Sequence, residues 1–221
     1  MIIKVNFTSP NTTIPIRNQK ELNSYIHKCI GHNNKYHDTF SDYSISSLQG
    51  GKLINGNELS FENNVPNIVI TSENTEFISD IMSGIQSDKF SLFSMKFKNF
   101  EISDFNVDKY CDTIITISPI IVKNKNGHKI AFDDPEWLSI LTKQLKDKLA
   151  HKGIIDNTFR VEIRNIERAK IKKIWVGDVF NICSFISLKV YGHPDSRRTL
   201  YNMGFGGSTG SGFGTIKIYE N

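Results

Sequence analysis

Residues 204–214 of the chain read GFGGSTGSGFG and contain six of its fifteen glycines. A backbone without Cβ atoms can approach a phosphate closely and point several N–H donors at it. Two Gly-Phe-Gly triplets, Gly204–Gly206 and Gly212–Gly214, enclose a spacer of five residues. This regular spacing favours a structured phosphate-binding loop over a glycine-rich hairpin or a disordered tail.

The position of the loop argues against the two common nucleotide-binding loops. A triphosphate-binding loop needs Lys and then Ser or Thr after its last glycine, whereas Gly214 is followed by Thr215 and Ile216. A dinucleotide-binding loop follows a first strand, opens a helix and has an acidic residue about twenty positions later. Here the loop follows a predicted helix, and seven residues come after it. A nucleotide-binding enzyme is therefore disfavoured. Saturable binding of ATP or NAD would support that hypothesis again.

Outward from the loop, hydrophobic periodicity predicts strand, helix, strand, strand, helix and strand in each half of the chain. Helices are predicted at 17–30, 73–85, 135–151 and 196–203. Strands are predicted at 2–7, 42–48, 67–71, 90–102, 113–118, 158–166, 179–191 and 215–219, with one more around Ile174.

This element order is that of the ferredoxin-like, split βαβ fold. The sequence therefore predicts an α+β protein of two tandem ferredoxin-like (RRM-like) domains with antiparallel sheets. The predicted domains are residues 1–108, which carry a histidine-rich segment, and residues 109–221, which carry the glycine-rich loop.

The composition is typical of a folded protein without membrane contact. Apolar residues make up 38% and aromatic residues 11% of the chain, which is ample for buried cores. The first residues lack a signal-peptide pattern, and no apolar stretch reaches membrane-spanning length. Three well-separated cysteines are more typical of reduced thiols than of a disulfide framework. We therefore expect a cytoplasmic protein.

Basic side chains are concentrated on one stretch of an otherwise nearly neutral chain. The formal net charge is +4, with a pI of about 8.8. Between residues 160 and 173 there are two acidic and six basic residues, namely Arg160, Arg164, Arg168, Lys170, Lys172 and Lys173. Such a patch indicates a polyanion contact, although a single charge run is often only a solvated strand and turn.

The loop and three further segments resemble one protein family. Gly-hydrophobic-Gly, five residues and Gly-hydrophobic-Gly form the signature of CRISPR-associated endoribonucleases that process precursor CRISPR RNA, members of the repeat-associated RNA-binding superfamily. KVYGHPDSRRTLYNMGFG (189–206) resembles the strand and helix before that loop. ISPIIVKN (117–124) with DDPEWLSILTKQLKDKL (133–149) resembles the opening of the second domain, and HDTFSDYSISSL (37–48) resembles the segment after the first helix.

The resemblance implies that this chain binds CRISPR repeat RNA at and between two ferredoxin-like domains. Family members often carry a basic residue in the spacer, whereas this spacer, 207–211, has none. Backbone N–H groups and hydroxyls could still contact the RNA backbone, so charge must come from the basic patch, Arg197 and Arg198. The candidate RNA-binding residues of the loop are Gly204, Phe205, Gly206, Gly207, Ser208, Thr209, Gly210, Ser211, Gly212, Phe213 and Gly214.

Three histidines lie close together in YIHKCIGHNNKYHD, residues 25–38. Histidine suits both proton transfers of RNA cleavage because its ordinary pKa of about 6.5 lies near working pH. A metal site of Cys29, His32 and His37 is an alternative, but the spacing matches no standard zinc pattern. The plainer alternative is that these histidines are polar surface side chains near a helix end. No metal or other cofactor is expected.

The resemblance places the catalytic histidine at His37 and a second proton-transfer or positioning residue at His27. His27 lies off the apolar face of its predicted helix, one turn before Gly31, where the helix dipole favours the protonated form. His32 is the alternative for either role. The lysine of the family has no clear counterpart, so Lys35 and Lys52 are the candidates for the cation that stabilises the phosphoryl charge.

The expected activity is metal-independent cleavage of CRISPR repeat RNA by its own 2′-hydroxyl, leaving 2′,3′-cyclic phosphate and 5′-hydroxyl ends. The competing class is a non-catalytic RNA-binding subunit of the same superfamily. A CRISPR interference complex is a further candidate partner. The sequence leaves both a monomer and a homodimer open.

Overall fold

The structure is a computed structural model that describes residues 1–31, 35–36, 40–62, 64–87 and 89–219. The first half contains β1 (Ile2–Phe7), β2 (Ile14–Pro15), α1 (Gln19–Ile30), β3 (Tyr43–Ile45), β4 (Lys52–Ile54), β5 (Glu58–Ser60), β6 (Asn67–Ser72), α2 (Thr75–Gln86) and β7 (Phe97–Ser103). The second half contains β8 (Cys111–Thr116), β9 (Val122–Lys123), β10 (Lys129–Ile130), α3 (Trp137–His151), β11 (Arg160–Ile163), β12 (Lys170–Val176), β13 (Val179–Phe185), β14 (Ser187–Tyr191), α4 (Pro194–Met203) and β15 (Ile216–Ile218).

Each half is built around a four-stranded antiparallel sheet with two helices. The strand order is β3-β6-β1-β7 in the first sheet and β11-β14-β8-β15 in the second. If the four strands of each sheet are counted along the chain, the first and the third lie side by side in the middle, as the split βαβ order requires. The predicted α+β fold of two tandem ferredoxin-like units is confirmed. The predicted division at residues 108 and 109 falls in the connection between β7 and β8 and stays a prediction.

The apolar stripe of each helix covers one face of its sheet. In the second half Trp137, Leu141 and Leu145 are fully buried at a spacing of four residues along α3. They pack with sheet residues such as Leu188 and Val190 in one core, because residues four apart lie on the same side of a helix. A separate core in the first half includes Val5, Leu22 and Phe77.

The predicted strand 179–191 is wrong, because two strands occupy this stretch. The backbone N–H of Ile186 donates to Oγ1 of Thr116 at 3.0 Å, and that hydroxyl donates to the carbonyl of Ile186 at 3.3 Å. At this point the chain changes partner: β13 pairs with β12 in a separate hairpin, and β14 joins the sheet. The hairpin therefore carries half of the basic stretch away from the sheet.

Polar contacts join the two halves. Oγ1 of Thr71 donates to the carbonyl of Asn202 at 2.9 Å, and the backbone N–H of Ser47 donates to Oγ of Ser118 at 2.8 Å. Such paired groups fix the relative position of the halves, since a buried polar group is costly without its partner. In the described part of the chain, no helix is long and apolar enough to cross a membrane.

Candidate nucleic-acid interface

The glycine-rich loop lies between the two halves. Oγ1 of Thr209 donates to the backbone carbonyl of Tyr43 at 3.0 Å, and Gly212 forms a parallel bridge with Ser46. A Cβ atom added at Gly210 would lie 2.9 Å from Cε2 of Tyr43, and one added at Gly212 would overlap the side-chain amide of Gln19. Gly212 also has a φ of +92°, which disfavours side chains. Glycine is therefore required here for close approach to protein.

The two phenylalanines of the loop are core residues. Phe205 packs in the second-half core, and Phe213 forms a small cluster with Ile121 and Cys183. The N–H of Phe205 donates to the carbonyl of Gly214 at 2.8 Å, so the ends of the loop are bonded together. The predicted RNA contact is wrong for the Phe205 and Phe213 side chains, since both are buried. The loop residues with accessible surface are Gly207, Ser208, Gly210 and Ser211.

Arg197 is also an interior residue. Its side chain is fully buried and forms an ion pair with Asp112, which also accepts a hydrogen bond of 2.8 Å from the Tyr201 hydroxyl. The guanidinium further donates to the backbone carbonyls of Asp108 and Gly192. The predicted phosphate contact of Arg197 is therefore wrong. Its donors hold the connection before β8 against α4.

Arg198 differs from its neighbour. It is exposed and pairs with Oδ1 of Asp195, one turn earlier on α4, at 2.9 Å. An exposed ion pair of this kind contributes about 1 kcal/mol or less, so Arg198 can exchange this carboxylate for a phosphate. Arg198 stays a candidate RNA contact.

All six residues of the predicted basic patch are exposed. Arg160 and Arg164 lie over aromatic rings, with Cζ 3.8 Å from the ring centre of Tyr191 and 5.5 Å from that of Tyr219. Lys173 lies 6.0 Å from the ring centre of Phe180 on the hairpin. Cations beside aromatic faces suit single-stranded RNA, because phosphates bind the cations and bases stack on the rings.

A cleft of about 270 Å³ opens within this patch. Arg164 and Arg168 line it together with Phe185, Ser187 and Tyr219. Two guanidinium groups and two aromatic rings give it the chemistry of a nucleotide-binding surface. The observed patch is thus richer than the sequence indicated, because Tyr219 and Phe185 are distant in sequence from the arginines.

The histidine-rich segment is only partly described. His32 and His37 lie outside the described residues, so their predicted roles stay predictions. His27 lies in the last turn of α1, as predicted, and is half-buried. Burial raises the pKa of Cys29 to about 11 and so disfavours the thiolate that a metal would need. Among the described residues, no three side chains of ligand type form a metal-binding group.

The two candidate lysines lie in different settings. The Lys35 ammonium forms an ion pair with Glu76 at the start of α2 and lies 5.5 Å from the ring centre of Tyr36. The Tyr36 hydroxyl donates to Oδ2 of Asp80 at 2.9 Å. Lys52 is exposed on β4, an edge strand of the small β2-β5-β4 sheet. Lys35 would have to leave Glu76 before it could bind a phosphoryl oxygen.

Lys148, which is not among the predicted site residues, is 8% exposed. Its ammonium donates to the carbonyls of Gly204, at 2.8 Å, and Met203, at 3.4 Å, where α4 ends and the glycine-rich loop begins. Burial lowers the pKa of Lys148 to about 7. The available signal was its spacing: Lys148 follows the buried Leu145 by three residues and so falls on the apolar stripe of α3.

The chain is similar to known proteins along its whole length. The family model described as the C-terminal part of CRISPR associated protein Cas6 matches residues 105–218. The CRISPR-associated endoribonuclease Cas6 1 of Methanocaldococcus jannaschii is 26% identical over 242 residues, which cover 100% of this chain and 94% of that protein.

Two solved structures share the fold. One is a CRISPR associated protein Cas6, 24% identical, with a TM-score of 0.82 and coverage of 100% of this chain and 99% of that one. The other is described as a RAMP protein binding different RNA substrates, 20% identical, with a TM-score of 0.85 and complete coverage of both chains. Both likenesses extend over the two ferredoxin-like units.

Proposed function

Since this chain belongs to the Cas6 family of CRISPR-associated proteins, we propose that it is a metal-independent endoribonuclease that cleaves CRISPR repeat RNA in precursor transcripts, giving guide RNAs. The observation that carries the proposal is the similarity to the Methanocaldococcus jannaschii endoribonuclease, which spans both halves of this chain. The exposed cations and aromatic rings of the second half support RNA binding. A cytoplasmic location, an interference complex as partner and a monomeric or homodimeric state stay predictions.

The RNA would lie across the basic patch and the accessible side of the glycine-rich loop. Arg164, Arg168 and Tyr219 offer phosphate and base contacts in one cleft. Arg198 on α4 and Ser208 in the loop are both exposed. Most of these groups recognise the backbone or stack on bases, so they position the strand.

The proposed chemistry uses the 2′-hydroxyl of the RNA as nucleophile. A base removes its proton, the oxygen attacks the adjacent phosphorus, and an acid protonates the departing 5′-oxygen. We assign these two proton transfers to His37 and His27, with His32 as the alternative for either. Because the nucleophile belongs to the substrate, the main task of the protein is alignment and stabilisation of phosphoryl charge. Lys35 and Lys52 are candidates for that cation.

Cleavage of repeat RNA in the presence of EDTA tests the proposal. We expect cleavage to persist in EDTA and to yield 2′,3′-cyclic phosphate ends. His37→Ala should slow it about 10²- to 10⁴-fold, the usual contribution of a general acid or base, whereas His32→Ala should change it little. Electrophoresis of end-labelled RNA measures both rates.

Three results would contradict the proposal. Equal rates for wild type and His37→Ala would remove His37 from the mechanism. Tight binding without any cleavage by the wild-type protein would replace the enzyme with a non-catalytic RNA-binding subunit. Restoration of activity by a divalent ion after EDTA treatment would contradict the metal-independent mechanism.

A further inference from the structure

A second cleft, of about 420 Å³, lies where the two halves meet. Phe40 and Ser41 line it from the first half, and Gln144, Asp147 and Lys148 line it from α3. Residues 206–209 of the glycine-rich loop complete its wall. The volume falls within the range of about 300–1,000 Å³ that is usual for small-molecule sites.

Lys148 lines this cleft, and its ammonium has one N–H donor more than its hydrogen bonds within the protein require. An ammonium group has three N–H donors, and two of them are directed at the carbonyls of Gly204 and Met203. In the described chain, no hydrogen-bond acceptor for the third is found. Lys148 also has no carboxylate in ion-pair distance among these residues, so an anion that enters the cleft would gain an uncompensated partner.

Gln144 brings an acceptor to the same cleft. Its Oε1 atom is buried and accepts no hydrogen bond from the described residues. A buried polar atom without a partner costs about 1–3 kcal/mol, so a ligand with an N–H donor would be favoured there. The side-chain amide can both donate and accept, as recognition of a base edge requires.

Phe40 adds an aromatic surface. It is 41% exposed although it is large and apolar. Its ring contacts His151 at the end of α3, with 4.1 Å between ring centres and an interplanar angle of 33°. The exposed part of such a ring is a stacking surface for a nucleobase.

We propose that this cleft binds one nucleotide of the RNA, with Lys148 against a phosphate, the amide of Gln144 against the base edge and Phe40 beside the base. The inference rests on the proposed function, because it assumes an RNA substrate. It assigns to α3 a direct part in RNA recognition. The cleft is distinct from the Arg164–Arg168 cleft, with which it shares no lining residue.

Nucleotide binding in this cleft should be coupled to proton uptake by Lys148. The ionisable groups that line the cleft are Asp147 and Lys148, both from α3, since the loop and Phe40–Ser41 contribute none. Other ionisable groups lie next to this lining. His151 contacts Phe40, and Lys152, which follows His151, forms an ion pair of 3.1 Å with Asp42, which follows Ser41. Because burial holds the pKa of Lys148 near 7, its amine is mostly neutral at pH 8 in the free protein. A bound phosphate would restore the charge, so binding takes up a proton.

The test is calorimetric titration at pH 8 with repeat RNA carrying 2′-O-methyl groups, which lacks the nucleophile. Titrations in two buffers of different ionisation enthalpy give the number of protons taken up. We expect uptake of up to about one proton per bound RNA, because burial lowers the pKa of Lys148 to about 7. Lys148→Met should abolish this uptake and weaken binding about tenfold. The matched control Lys146→Met removes an exposed lysine of the same helix and should leave the uptake unchanged.

Gln144→Leu provides a second test, which decides the matter if Lys148→Met does not fold. Gln144 is partly exposed and makes no hydrogen bond through Oε1, so its replacement should not lower the melting temperature. RNA affinity should fall about fivefold.

The outcomes separate the two proposals. A wild-type protein that does not bind repeat RNA overturns the proposed function together with this inference. Binding without proton uptake, or the same uptake in Lys148→Met, overturns the inference alone. Unchanged affinity of Gln144→Leu removes the base contact.

Discussion

Arg197 and Arg198 are adjacent on α4 and have opposite environments. Arg197 is fully buried against Asp112, whereas Arg198 is exposed beside Asp195. Consecutive helix residues point about 100° apart, so one can face the core while the next faces water. The sequence RR cannot distinguish them, because the decisive partner, Asp112, lies on β8.

We expect Arg197→Ala to lower the free energy of unfolding by about 3–5 kcal/mol, since it leaves the Asp112 carboxylate buried without its cation. Arg198→Ala should change that free energy by about 0.5 kcal/mol or less and weaken RNA binding severalfold. Urea unfolding and fluorescence anisotropy measure the two effects. Equal loss of stability in both variants would contradict the assignment of Arg197 to the interior.

Lys148 makes the stability of the protein depend on pH. The unfolded chain keeps this proton up to about 10.5, whereas the folded chain loses it above about 7. Between these values the unfolded state binds more protons, so the free energy of unfolding rises with pH by up to about 1.4 kcal/mol per unit. Urea unfolding at pH 7, 8 and 9 should show this rise, and Lys148→Met should remove it. A wild-type protein without that rise would contradict the lowered pKa.

At the scale of elements, the glycine-rich loop joins the two halves of the chain. Its phenylalanines pack into the second half, while Thr209 and Gly212 contact β3 and the residue after it. The loop thus couples the position of α1 and β3 to that of α4. Any RNA that binds its accessible side meets a surface already fixed by these contacts.

Gly212→Ala and Gly207→Ala form a matched pair within this loop. A Cβ atom at Gly212 would overlap the Gln19 amide at a φ of +92°, whereas one at Gly207 would lie 3.8 Å from the Ile121 carbonyl oxygen, an ordinary contact. We expect Gly212→Ala to lose about 2 kcal/mol or more of stability and Gly207→Ala to lose little. Thermal unfolding measures both, and tolerance of Gly212→Ala would show that the halves do not meet as described.

The helices and the ferredoxin-like order were predictable, because hydrophobic periodicity is local. All four predicted helices agree with the observed ones to within two residues at each end. Family membership was also predictable from the loop and its flanking segments. Two features that depend on distant partners were not predicted. One is the end of a strand at Ile186, where Thr116 binds the backbone, and the other is the burial of Lys148. A lysine on an apolar stripe usually extends its amine to water, so the position of Lys148 on that stripe does not by itself predict a buried ammonium.

At the scale of the whole molecule, a net charge of only +4 leaves RNA binding dependent on local clusters. The basic patch lies on one sheet edge and its hairpin, while the remaining charges nearly cancel. Phosphate neutralisation releases counterions, so affinity should fall steeply with salt even though the total charge is small.

We expect the double variant Arg164→Ala, Arg168→Ala to reduce the slope of log affinity against log salt by about 1.4, since each single-strand phosphate contact contributes about 0.7. The control double variant Lys143→Ala, Lys146→Ala changes the net charge equally on the exposed side of α3. It should leave the slope nearly unchanged. Equal slopes for both double variants would mean that RNA responds to total charge rather than to this patch.

The place of the glycine-rich loop in the chain has a consequence for synthesis on the ribosome. The strands of the first sheet are complete at Ser103, whereas the loop that touches β3 is complete only at Gly214. At the usual 5–20 residues per second, these positions emerge roughly 6–22 s apart. During that interval the nascent first half lacks the loop that contacts Tyr43 and Ser46, so this surface stays uncovered.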